Sequence, residues 1–251
     1  MKKIIAYQEN QNSTIEMIDN SSSSDFFSSN YLLQKYCTPE QKYFLEKEII
    51  PCNYKKDDFI FHEHQTAFNV FFISSGIVEL WKEGIYTNKQ VIRFAKGSDI
   101  LGYRGIILEN SKYQLSASAL VDSKCYSIEK NVFAKVLKEN PELNSHILLT
   151  YTKELEKVET RLRDLVIMNV REKVAEALLI LYQTFTNKKD SDILNLPLSR
   201  QTIADVAGTS KGRVIKQIAE FRDENILTGN GKKVIILRPD KLKEIVKRFH
   251  E

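Results

Sequence analysis

The sequence predicts an α+β chain: an antiparallel β-roll (jelly roll), then a long amphipathic helix, then a C-terminal winged helix-turn-helix. Three observations predict it. Between Cys52 and Ser127, short β-branched and aromatic runs alternate with glycine and charged residues. Leu148, Tyr151, Leu155, Val158, Leu162 and Leu165 recur at alternating steps of three and four, which is a heptad seam. Leu198–Gln217 sets two serines and a glycine at helix-turn-helix spacing, and a β-hairpin pattern follows.

Residues 1–37 read as an N-terminal extension, partly disordered, since the Ser-rich stretch through Ser24 cannot bury much surface. Asp25 is a plausible cap for one helix over Phe26–Tyr36. Thr38-Pro39-Glu40-Gln41 carries the capping box of the next. The β-roll takes residues 38–138, with strands around Phe59–His62, Val70–Ser74, Ile77–Trp81, Lys89–Phe94 and Cys125–Ile128. Turns are expected at Ser75-Gly76, Glu83-Gly84 and Lys96-Gly97-Ser98-Asp99, where glycine tolerates positive φ.

Residues 139–169 form the long helix, opened by Asn140-Pro141. The seam residues are flanked by charges, among them Lys153, Glu154, Arg161, Arg163 and Asp164. Such a stripe suits a two-stranded homodimer through Leu148, Tyr151, Leu155, Val158, Leu162 and Leu165. An amphipathic helix lying on its own domain is the other reading. Residues 170–251 form the last domain, beginning with a helix over Arg171–Phe185 whose wider apolar stripe reads as core.

Composition narrows the function classes. No apolar run approaches the roughly 18–20 residues that span a bilayer, so no membrane is expected. The N-terminus lacks an apolar h-region, which makes the cytoplasm the default location. Cys37, Cys52 and Cys125 are odd in number and widely spaced, against a disulfide framework, a zinc site or an iron–sulfur cluster. His62-Glu63-His64 resembles a metal cluster but has no visible third ligand, and a polar turn at a strand end accounts for it. No metal or cofactor is expected. Neither G-x-S-x-G nor a phosphate loop is present, so an enzyme is not expected. Net charge is +4, unevenly placed: Val170–Glu251 holds 16 Lys+Arg against 11 Asp+Glu, and the remainder 21 against 22. A near-neutral front with a basic tail suits a sensing part joined to a part that meets nucleic acid.

The helix-turn-helix carries the sharpest signal. Ser199 can cap a first helix with Ile203, Val206 and Ala207 inward, Gly208 suits the left-handed turn, and Ser210 can cap the second helix. There Val214, Ile218 and Phe221 share one face, while Gly212, Arg213, Lys216 and Glu220 lie opposite. An apolar back with a basic front is what insertion into the major groove of double-stranded DNA requires. An ordinary helical hairpin with a solvated basic face is the alternative. Against it stands a second device, the Ile226–Leu237 hairpin, whose Asn230-Gly231 turn is flanked by Lys232 and Lys233, placed to touch phosphate.

From about Thr38 onward the chain resembles the Crp/Fnr superfamily of transcription regulators. The resemblance rests on Gly76, Gly97 and Gly102 in the roll, Ile128–Phe133 with Asn140-Pro141, the long helix, and above all Ser199–Lys216 with Gly208. It implies a cyclic-nucleotide-binding-like roll that takes an effector, a helix that dimerises, and paired recognition helices on a twofold-symmetric operator. RNA polymerase is a further partner the resemblance suggests. Arg200, Gln201 and Ser210 match phosphate-contacting positions, and Lys211, Gly212 and Lys216 match base-reading ones. Gly212 departs from the glutamate many members carry, so the operator is expected to differ there. Arg213 would compensate at phosphate or guanine.

The roll also departs from pattern. The cassette around Gly102 has Tyr103 at the ribose-binding glutamate, and Tyr113 and Gln114 at the phosphate-binding Arg-Ser pair. Val158 and Glu159 stand where the long helix would face the base. Losing the arginine removes a charge-assisted contact, so cyclic AMP is not expected as effector. Arg104 could meet another anion or a structural carboxylate. Another ligand, or none, both stay open. The competing function is a small-ligand sensor whose output is not DNA binding; the winged helix argues against it.

Overall fold

The computed structural model describes residues 23–84, 89–107, 112–186, 194–196, 199–229 and 233–247. They divide into two compact units. The first takes in the described residues up to Val78, with Lys96–Gln114 and Ser118–Leu143. The second takes in Glu79–Ala95, Leu115–Ala117 and the chain from Asn144 onward. The architecture is mixed α and β, as the sequence predicts.

Where one helix over Phe26–Tyr36 is expected, there are two, α1 (Ser23–Ser29) and α2 (Tyr31–Tyr36). The break is Asn30, fully buried and outside helical dihedrals at φ −124° and ψ 87°. Phe26 packs edge-on against Phe72 and Tyr126, with centroids 5.4 and 5.0 Å away. α3 (Pro39–Glu46) begins with the predicted capping box: Thr38 Oγ1 accepts from the Gln41 N–H, and Gln41 Oε1 accepts from the Thr38 N–H.

The strands follow: β1 (Ile50–Tyr54), β2 (Phe59–Phe61), β3 (Asn69–Ser75), β4 (Val78–Lys82), β5 (Gln90–Ala95) and β6 (Ile100–Leu101). After a single turn of helix, α4 (Arg104–Ile107), come β7 (Ser116–Ala119) and β8 (Ser123–Glu129). One sheet has the order β1-β8-β3-β6, antiparallel throughout, and the other β2-β7-β4-β5. In the first, Cys52 stands directly opposite Cys125. Both thiols are free and buried, and burial lifts them to about 11 and about 12. Gly76 has φ +94°, and a Cβ there would stand 2.6 Å from the Ser123 Cα, so glycine is required. In the Lys96–Asp99 turn, positive φ falls on Ser98 (78°) rather than on Gly97. Gly97 instead admits the Ser74 carbonyl, 3.1 Å from where its Cβ would be.

α5 (Lys130–Glu139) leads to Asn140, whose Oδ1 accepts from the Leu143 N–H and whose Nδ2 donates to the Tyr36 carbonyl. There begins α6 (Pro141–Ile167), whose 27 residues span roughly 40 Å. Along it, Leu148, Leu155 and Leu162 are exposed, while Tyr151, Val158 and Leu165 are half-buried.

In the second unit, α7 (Val170–Phe185) starts at a capping box between Asn169 and Glu172. Next come β9 (Leu194–Leu196), α8 (Arg200–Ala207), α9 (Lys211–Asp223), β10 (Leu227–Thr228), β11 (Val234–Ile236) and α10 (Pro239–Val246). The wing is a three-stranded sheet, β10-β11-β9. The sequence reading places neither β9 nor α10. Val174, Leu178 and Leu181 of α7 share one core with Ile203, Val206, Val214, Ile218, Phe221, Ile236 and Leu242. Val91 of β5 is fully buried in that core, and Trp81 and Phe94 pack against it. Among the described residues, no helix is long and apolar enough to cross a membrane.

Candidate nucleic-acid interface

Local chemistry fixes both helices of the motif. Ser199 Oγ accepts from the Thr202 N–H at 3.0 Å and starts α8. The helix ends on Gly208, left-handed at φ 62° and ψ 38°, whose N–H donates to the Ala204 carbonyl. Ser210 Oγ then accepts from the Arg213 N–H and starts α9. Val214, Gln217, Ile218 and Phe221 turn inward. Lys211, Gly212, Arg213 and Lys216 are all exposed. A Cβ at Gly212 would meet nothing within 4 Å, so the fold does not require glycine there.

The first helix is more constrained than its sequence suggests. Gln201 is half-buried, and its Nε2 donates to Asp205 Oδ1 at 2.8 Å. Asp205 is buried; desolvation raises its pKa, the Gln201 hydrogen bond and Lys89 oppose this, and Glu79 reinforces it. Arg200 is half-buried, its pKa lowered first by desolvation and then by the Arg222 charge. Lys233 is exposed at the wing, whereas Lys232 and the Asn230-Gly231 turn lie outside the described residues.

Sequence reasoning missed what braces the turn. Gln90 Nε2 donates to the Asp205 carbonyl at 3.1 Å, and a Cβ on Gly208 would stand 2.6 Å from Gln90 Oε1. Arg161, read as a charged flank of the seam, is half-buried, its guanidinium turned onto backbone carbonyls. Its Nη1 donates to the Ile92 carbonyl at 2.6 Å and its Nη2 to the Val206 carbonyl at 2.7 Å. Desolvation pushes its pKa down to about 10 despite the Glu176 charge. It therefore joins α6, β5 and the end of α8 through charge-assisted bonds to two backbone carbonyls. Asp164, also read as a flank, is buried and holds Arg163 at 2.7 Å. Arg171 grips Glu224 bidentately at 2.6 and 2.7 Å and lies over the Phe221 ring, tying α7 to the end of α9.

In the roll, Gly102 has φ +77°, and a Cβ there would meet the Asn69 carbonyl at 2.8 Å and Tyr113 at 2.9 Å. Tyr103 is buried and Arg104, half-buried, opens α4. Tyr113, at the position the resemblance gives to the phosphate-binding arginine, is buried and stacks on Phe61 at 4.0 Å. Its hydroxyl donates to the Asn69 carbonyl at 2.9 Å and accepts from the Asn69 N–H at 3.3 Å. Burial lifts its pKa to about 12. Gln114 is exposed, its Nε2 donating to the Lys112 carbonyl. Val158 is half-buried and Glu159 exposed on α6, in the other unit. His64 takes φ 66° in a turn, and His62 stacks on Phe59. Among the described residues, no group of three or more His, Cys, Asp or Glu could hold a metal ion.

Two family models match this chain. A cyclic nucleotide-binding domain covers residues 51–140, and a Crp-like helix-turn-helix domain covers residues 172–245. Together they take in well over half of the sequence. The chain belongs to the Crp/Fnr family. Among its relatives is the anaerobic regulatory protein of Bacillus subtilis (strain 168), 24% identical over 75% of this chain and 80% of that one. Another is the CRP-like cAMP-activated global transcriptional regulator of Mycobacterium tuberculosis (strain ATCC 25618 / H37Rv), 23% identical over 79% of this chain and 88% of that one. Its fold matches FixK2 from Bradyrhizobium japonicum at a TM-score of 0.65 and 21% identity, over 78% of this chain and 96% of that one. It also matches the c-di-GMP responsive global regulator CLP of Xanthomonas campestris at 0.70 and 15% identity, over 79% and 99%. Like its relatives, this Crp/Fnr chain is a transcription regulator and not an enzyme.

Proposed function

We propose that the chain acts in the cytoplasm as a homodimer, with one α9 from each subunit reading a twofold-symmetric operator, and that cyclic AMP is not its effector. The observation that carries the DNA reading is the division of α9. Its inner residues are buried in the core, while Lys211, Arg213 and Lys216 stand exposed around the bare backbone of Gly212. Lys216 on the outer face, with Lys211 and Arg213 to either side of Gly212 at the start of the helix, complements phosphate oxygens and guanine acceptors. Arg200, Gln201, Ser210 and, at the wing, Lys233 extend the contact to the DNA backbone; Lys232, outside the described residues, is assigned with them from the sequence alone. The open Gly212 favours an operator unlike that of members with glutamate there.

The exposed seam of α6 supports the dimer. Leu155 is 41% and Leu162 64% exposed, and a facing helix would cover both. Tyr113 supports the absence of cyclic AMP, because its hydroxyl is already bonded to both polar groups of the Asn69 backbone. A neutral phenol held this way offers no charge to a phosphate. RNA polymerase is the further partner of such a regulator. The deciding experiment is selection of bound sequences from random duplex DNA by the purified chain without added ligand. A palindromic consensus bound in a salt-sensitive way is expected, and recovery of no consensus would overturn the proposal.

A further inference from the structure

α9 exposes one residue that does not suit a helix facing phosphate or water. Ile215 is 50% exposed, although it belongs to the same helix as fully buried Val214 and Phe221. Among the described residues from Ser199 onward, Ile215 and Leu237 are the exposed large apolar side chains.

Its place on the helix gives the exposure a direction. At about 100° per residue, Gly212, Ile215, Lys216 and Ala219 form one surface opposite the buried face. Gly212 is three residues before Ile215, where a Cβ would meet nothing within 4 Å. Ala219 is four residues after it and also exposed. Gly212 and Ala219 are small, so on that side the branched side chain stands clear, while the exposed Lys211, four residues before it, flanks its other side. Side chains on a helix lean toward its N-terminus, which carries Ile215 over the empty turn at Gly212. Lys211, Arg213 and Lys216 surround this strip with positive charge.

We infer that Ile215 is a specificity-determining residue that packs against the C5 methyl group of a thymine in the operator. The inference rests on the DNA-reading role of α9 and adds the base class that its apolar strip selects. In the major groove, the thymine methyl is the apolar feature that distinguishes one base pair from the others. Polar base edges presented to Ile215 would lose water without gaining a hydrogen bond. A methyl group there removes apolar surface on both partners from water instead. Gly212 contributes by leaving room for the base to approach.

The test uses the operator recovered by selection with the full chain. Each thymine in one half-site is replaced in turn by deoxyuridine, which removes the methyl and keeps the base pairing. Wild-type protein is expected to lose about fourfold in affinity at one or two of these positions, the worth of one buried methyl. Changing both half-sites should give about fifteenfold. Ile215→Ala should bind the thymine operator about as weakly as wild type binds the deoxyuridine one, and should be indifferent to the replacement. Its unfolding midpoint should match wild type, since the side chain is exposed.

A selective operator on which no thymine methyl matters by twofold would overturn the inference and leave the DNA reading intact. So would an Ile215→Ala variant that keeps the full wild-type sensitivity, or one whose weaker binding tracks a lowered unfolding midpoint. Absence of any selective binding would instead overturn the DNA reading, and this inference with it.

Discussion

Replacing Gly208 by alanine should destabilise the DNA-binding unit by an amount that Gln90 partly controls. Gly208 is left-handed at φ 62°, and for an alanine that conformation costs about 1–2 kcal/mol. The new Cβ would lie 2.6 Å from Gln90 Oε1, the end of a flexible side chain, so Gln90 can move. Moving it strains or breaks the bond from Nε2 to the Asp205 carbonyl, with a net worth of about 1 kcal/mol. Gly208→Ala should therefore cost about 2–3 kcal/mol, and Gln90→Ala alone about 1. In the double variant the collision and the hydrogen bond are both gone, so its loss should fall below the sum by about 1 kcal/mol. Trp81 is the single tryptophan and packs against the core that holds α8 and α9, so its fluorescence during urea unfolding reads this unit. Additivity within about 0.5 kcal/mol would refute the proposed collision. A Gly208→Ala loss below that size would refute the claim that the turn depends on a left-handed residue.

Lys216→Ala should weaken operator binding and relax discrimination at one base pair by about 1–3 kcal/mol; equal loss on every sequence would make Lys216 a phosphate contact instead. Leu155→Glu with Leu162→Glu should give a monomer by sedimentation at micromolar concentration and abolish tight operator binding, because both side chains occupy the exposed seam. Asp205→Asn should raise stability at neutral pH and flatten its pH dependence. Because burial raises the folded pKa of Asp205 above its unfolded value, the native state binds more protons there. Wild-type stability should therefore fall as pH rises from about 4, the ordinary aspartate value, through that raised pKa. A variant whose unfolding free energy keeps the wild-type slope would remove Asp205 as its source.

The parts of this molecule legible in its sequence are those set by neighbours within a few residues. Thr38 with Gln41, Ser199 with Thr202 and Ser210 with Arg213 are capping pairs three residues apart, and the chain forms all of them. The inward period of Val214, Ile218 and Phe221 needs only the pitch of a helix. What stayed hidden depends on contacts between distant segments. Arg161 looks like any charged flank until Ile92 and Val206 bring their carbonyls to it. Gln90 carries no signal that it braces a turn 115 residues onward at Asp205. Asn30, fully buried and outside helical dihedrals, divides what its neighbours' sequence reads as one helix. At Tyr113 the resemblance implies that the phosphate-binding arginine is missing, but not that the phenol turns inward to the Asn69 backbone. α10 was readable after all: Pro239 stands in its first turn, and Leu242 and Val246 repeat at a helical interval.

The burial of Val91 among the residues that support α8 and α9 has a consequence for where this protein can be cut. A fragment beginning at Asn169 would keep every residue of the motif yet lose Val91, Gln90 and Arg161 together. It would expose an apolar hollow where β5 had been, and the carbonyls of Asp205 and Val206 would turn to water. Reading DNA and folding the part that reads it are thus tasks with different boundaries, and the second takes in β4 and β5, well ahead of the motif in the chain.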